Sequence, residues 1–120
     1  MSLSEFRAHL LAAISMHFPS ARVDVSERRN AILRVRAEIP NEILLDVYYN
    51  DLTGKTSYTL IHRQQRILGY DNYRFWHAHP YDSPAEHIAC TEPELDQVLV
   101  EFSEVVARLE SIAGEEVDDS

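Results

Sequence analysis

Between residues 31 and 62 the chain alternates apolar and polar side chains, and no other feature constrains its fold as strongly. In residues 31–39, Leu33, Val35, Ala37 and Ile39 share one face while Arg34, Arg36 and Glu38 share the other. In residues 42–50, Ile43, Leu45, Val47 and Tyr49 alternate with Leu44, Asp46, Tyr48 and Asn50. Residues 55–62 return with Tyr58 and Leu60 on one face. A period of two is that of a half-buried strand. Pro40-Asn41 and the NDLTG run at 50–54 separate the stretches with residues that favour turns. Strands joined by such short turns pair antiparallel, and an antiparallel sheet needs one face covered. A weaker alternation at 22–26 and a short apolar run at 66–70 bring the expected sheet to about five strands.

Two helical patterns are available to cover it. Leu3, Phe6, Leu10 and Ile14 form one apolar face, Ser2 and Glu5 have capping-box spacing, and Pro19 stops the pattern. Leu95, Val98, Leu99, Phe102, Val105, Val106, Leu109 and Ile112 recur at three- and four-residue spacing. Thr91 and Glu94 suggest a second capping box, Pro93 fits a first turn, and Gly114 suits a C-terminal cap. The expected fold is α+β, an antiparallel sheet of about five strands flanked by an N-terminal and a C-terminal helix. One domain over 1–113 and a disordered acidic tail at 114–120 complete the expectation.

Charge is unevenly spread. Residues 1–90 hold ten acids and ten bases, so the whole net charge of −9 falls in residues 91–120. A chain with this balance is not a dedicated duplex binder, although the neutral first ninety residues leave room for a local basic patch. The single cysteine cannot close an internal disulfide, and no apolar run nears the ~20 residues that span a bilayer. The N-terminus also lacks an apolar signal region, so a cytoplasmic protein without a membrane partner is expected.

Residues 71–90, DNYRFWHAHPYDSPAEHIAC, concentrate the chemistry. If WHAHPY is extended, His77, His79 and Tyr81 share a face, with the two histidines about 6.7 Å apart along the strand. Trp76 and Ala78 then point into the core. Imidazoles so placed suit general acid–base cleavage of a phosphodiester, because histidine titrates near neutrality. Asp71 would orient a histidine, and His87 would assist. Arg66 and Arg74, with Arg63 as a further candidate, would hold phosphate. Tyr70, Tyr73 or Trp76 would stack on a base, as recognition of single-stranded RNA commonly requires. The constellation describes a ribonuclease with no metal and no cofactor.

Other readings remain beside it. His77, His79 and His87 with Asp71 or Cys90 could ligate zinc or a related ion, although one H-x-H is a weak signal. Each histidine could equally make only local hydrogen bonds. His62 could join the segment from the end of its strand, Cys90 reads as a buried structural thiol, and 83–87 resembles a short helical turn. A non-enzymatic protein that docks a partner through a sheet edge and its acidic helix is the alternative from another class.

The run from Tyr70-Asp71-Asn72 through His77, His79, Pro80 and His87 to an amphipathic helix resembles the TumE-like toxins of prokaryotic toxin–antitoxin modules. The resemblance covers roughly residues 42–112. Members of that family carry a denser histidine run, which Phe75-Trp76 and Ala78 interrupt here. It implies a nucleolytic toxin neutralised by a helix-turn-helix antitoxin protein and acting on RNA; homodimerisation is left open.

Overall fold

The alternating stretches become neighbouring strands of one antiparallel sheet. The computed structural model describes residues 1–118. Its elements run α1 (Leu3–His17), β1 (Arg22–Arg28), β2 (Ile32–Ile39), β3 (Ile43–Asn50), β4 (Thr56–His62), β5 (Gln65–Asp71), β6 (His77–His79), β7 (Ile88–Ala89) and α2 (Leu95–Asp118). The sheet is a meander in which each strand pairs with its sequence neighbours, from β1 at one edge to β7 at the other. It has seven strands rather than about five. The two additional strands, β6 and β7, are three and two residues long and lie in the histidine segment, too short to show a period of their own.

Three turns hold both central residues in the left-handed region: Arg29-Asn30, Asn41-Glu42 and Arg63-Gln64. That conformation matches the twist of paired strands, and here it is imposed on Arg, Glu and Gln, which do not favour it.

Both helices pack on one face of the sheet. α1 buries Phe6, Leu10, Ala13 and Ile14, and its cap forms as expected, with Ser2 Oγ accepting from the Glu5 N–H at 3.2 Å. α2 buries Leu95, Val98, Leu99, Phe102, Val105 and Val106. These meet Leu33, Val35, Ala37, Leu45, Val47 and Leu60 in one core.

α2 departs from expectation at both ends. It starts at Leu95, so Thr91 is not its cap. It also continues through Gly114 to Asp118. A glycine inside a helix costs only about 1 kcal/mol, and no proline follows to stop it. Residues 119–120 of the expected tail lie outside the described residues. No described helix is long and apolar enough to cross a membrane.

The opposite face of the sheet is open. Across it Arg34 pairs with Tyr48, Tyr48 with Ser57, Ser57 with Asp71 and Asp71 with His77. The acidic helix α2 lies behind the sheet, on the face opposite these residues.

Gly69 belongs to this open face, between Thr59 and His79. A Cβ there would lie 2.8 Å from the backbone oxygen of Tyr58. Gly69→Ala is therefore expected to shift the β4–β5 pairing and to cost about 1–3 kcal/mol. Thermal unfolding checks this, and an unchanged melting temperature would contradict it.

Candidate functional site

Alternation decides which side chains meet. Asp71 ends β5, and His77 and His79 are the first and last residues of β6, so all three face the open side. His87 precedes β7 and joins them. The ring of His87 lies 5.0 Å from that of His77 and 4.5 Å from that of His79, which are 5.1 Å from each other. One nitrogen from each of the three rings lies within 4.8 Å of the others.

His77 and His79 are 6% and 2% exposed, while His87 is open to solvent. Every nitrogen of the two buried rings faces an oxygen. His77 Nε2 is 3.0 Å from Asp71 Oδ1, and its Nδ1 is 3.0 Å from the Phe75 carbonyl. His79 Nε2 is 2.9 Å from Asp71 Oδ2, and its Nδ1 is 3.1 Å from the Pro84 carbonyl. Asp71 Oδ1 also accepts from the Tyr73 N–H at 3.1 Å. Burial pushes the Asp71 carboxyl up. The hydrogen bonds from His79 and the Tyr73 amide, together with the charges of His77 and His79, outweigh that and hold it below its ordinary value.

A donor count bears on the chemistry. Four acceptor oxygens face the two buried rings, while two neutral imidazoles carry only two N–H groups. If each Nδ1–H serves its backbone carbonyl, each Nε2 turns a lone pair toward the carboxylate. Two further protons would relieve that repulsion, and so would one cation shared by both Nε2 atoms and Asp71. Separations of 2.9 and 3.0 Å between nitrogen and oxygen are hydrogen-bond lengths, and they bring both Nε2 atoms and the carboxylate close enough together that one ion could be shared among them. An Nδ1–H bonded to a carbonyl is also the usual support for a histidine that ligates through Nε2.

Arg66 reaches the site because β5 carries one extra residue, Ile67, opposite Leu60-Ile61. The bulge turns Arg66 to the open face, where Nη2 donates to Pro84 O at 3.2 Å, the oxygen that also faces His79 Nδ1. Arg74 sits on the exposed rim, 5.5 Å over the ring of Tyr73. Tyr73 and Phe75 are 62% and 58% exposed, and Phe75 meets His77 edge-on. Phe75 was not among the expected site residues, although its place two residues before His77 puts it on the same face.

The structure brings together Asp71, His77, His79, His87 and Arg66, with Arg74 at the rim. It does not bring Tyr70 or Trp76. Each is one residue from a site residue and so points to the helix side. Tyr70 donates to Glu101 of α2 at 2.9 Å, and Trp76 packs near Tyr58. Tyr81 leaves the histidine face after Pro80 and lies under Arg108. His62 faces the helix side beside Leu109, away from the site. Residues 83–87 form turns rather than a helix. Cys90 is exposed rather than buried, and partial burial of its thiol still pushes its pKa up.

No protein-family model, no curated protein and no solved structure matches this chain.

Proposed function

We propose that Asp71, His77, His79 and His87 bind one divalent transition-metal ion, and that the centre cleaves phosphodiester bonds in single-stranded RNA. The observation that carries the metal is the pair of buried Nε2 atoms converging on one carboxylate while both Nδ1 atoms face backbone carbonyls. Three imidazoles and a carboxylate suit zinc, iron, nickel or manganese. Such an ion would polarise a phosphoryl oxygen and acidify a bound water.

The chain's own groups supply the rest. The Phe75 and Pro84 carbonyls fix the tautomers of His77 and His79 by accepting from Nδ1. His87, the exposed member, lies on the side from which substrate would arrive. Arg74 is free to contact phosphate, and Arg66 steadies the Pro84 carbonyl. Tyr73 and Phe75 offer exposed rings for base stacking, which is sequence-tolerant and suits a single strand.

Support for an anionic substrate comes from the charge distribution. Asp96, Glu101, Glu104 and Glu110 belong to α2 behind the sheet, while on the open face Arg34 and Arg36, both half-exposed, share the single carboxylate of Asp46 and leave one positive charge in excess among the three. A metal-free acid–base mechanism would need His77 or His79 to reach the substrate, and both are buried with each nitrogen facing a protein oxygen. The TumE-like resemblance supplies the biological setting of the proposal: a cytoplasmic nucleolytic toxin held by a helix-turn-helix antitoxin.

Labelled single-stranded RNA tests this reading. Cleavage is expected from the wild type, lost in excess chelator, restored by zinc or manganese, and absent in His77→Ala/His79→Ala. Chelator-resistant cleavage that still needs the histidines would instead establish the metal-free pair. No cleavage under any condition would overturn the nuclease.

A further inference from the structure

On the helix side of the sheet, away from the histidines, a cleft of about 490 Å³ opens between α1, the N-terminus of α2 and the β3–β4 hairpin. Phe6, Tyr49 and Tyr58 line it, together with Glu92 and Glu94. Phe6 and Tyr49 stack at 4.2 Å between ring centres and form an apolar wall.

Tyr58 distinguishes this cleft from a surface dent. Its side chain lies in the core and is 3% exposed overall. No described residue hydrogen-bonds its hydroxyl, yet no side-chain oxygen in the described structure is both sealed off and unpaired. The hydroxyl therefore opens into the cleft that the residue lines. Its hydrogen-bonding partner, water or ligand, must come from within the cleft.

The charges around the cleft choose the partner's sign. Glu92 acts on both Tyr49 and Tyr58, and Glu5 and Asp51 act on Tyr49. Burial, reinforced by Glu92, pushes the Tyr58 hydroxyl well above its ordinary pKa, so it stays protonated. Two cationic candidates belong to the lining, His9, which Asp96 engages at 2.9 Å, and the amino group of Met1, whose residue is tied to Tyr49 and faces the more numerous acids Glu92 and Glu94. The N-terminus of α2 opens here as well, and Glu94 and Asp96 already answer its partial positive charge.

We propose that this cleft binds an alkylammonium group, with the Tyr58 hydroxyl accepting one N–H, Glu92 supplying the counter-charge and the alkyl stem lying along Phe6 and Tyr49. This goes beyond the histidine centre and does not depend on it. A free polyamine and a lysine side chain of another protein present the same chemistry.

The test follows amide resonances of the full chain by NMR. The probes are putrescine, Nα-acetyl-lysine methylamide and the neutral 1,4-butanediol. An amine is expected to shift the signals of Thr56, Tyr58 and Leu95 with a Kd of about 1 mM or tighter. Tyr58→Phe and Glu92→Gln should each weaken binding by about three- to tenfold. Binding by putrescine alone assigns the site to a free polyamine, and binding by the lysine derivative alone assigns it to a protein side chain. No shift from either amine up to about 10 mM would overturn the proposal, as would equal shifts from the diol.

Discussion

Asp71→Asn is expected to weaken metal binding about 100-fold or more and to abolish RNA cleavage with it. The substitution changes almost no volume, so packing is not at issue. Its effect comes from the two carboxylate oxygens, which face His77 Nε2 and His79 Nε2 at 3.0 and 2.9 Å. An amide offers one oxygen and one NH₂, so one of the two rings must face a hydrogen-bond donor.

The metal-free protein should feel the change far less. The NH₂ of asparagine can donate to one Nε2 lone pair that the carboxylate repels, while the remaining oxygen can still accept from the Tyr73 N–H. A stability change within about 1 kcal/mol is expected. Titration with zinc and thermal unfolding of the stripped protein measure the two effects separately. Undiminished zinc affinity in Asp71→Asn would remove Asp71 from the ligand set.

The second large effect lies on the other side of the sheet. Phe102 is fully buried in the middle of α2, among the residues that seal the helices onto the sheet. Phe102→Ala should cost about 3–5 kcal/mol, from lost burial plus the cavity left behind. For a domain of this size that corresponds to a fall in melting temperature of roughly 12–20 °C. The histidines face away from the helices, so well below its melting point this variant should keep wild-type metal affinity. Loss of affinity in a still-folded Phe102→Ala would mean that the site is coupled to the core rather than built on the open face.

β2, β3 and β4 were legible because each shows its period over several residues; Leu33, Val35, Ala37 and Ile39 lie buried together as the alternation requires, whereas β1 alternates only weakly and β5 shows only as a short apolar run. β6 and β7 were not, since three and two residues cannot display a period and Pro80 interrupts between them. The start of α2 was misread because Thr91-Glu94 has the spacing of a capping box while the helix begins at Leu95.

At the site, residue types in one short segment were enough to nominate Asp71, His77, His79 and His87. The pairing of β5 with β6 is what places Asp71 opposite His77, and no local pattern encodes it. The same alternation that gathers the histidines sends Tyr70 and Trp76 to the opposite face, a consequence readable from their numbers alone. The Pro84 carbonyl under His79 was beyond reach, since it depends on the turn that carries residues 80–86 back over the sheet.

The most direct test of the metal centre is calorimetric titration of the stripped protein with zinc, repeated in two buffers that differ in ionisation enthalpy. One ion per chain should bind, and the difference between the two buffers counts any protons that leave with it. His77→Ala and His79→Ala should each remove that binding. Absence of stoichiometric binding by the wild type, or binding that survives both substitutions, would contradict the assignment.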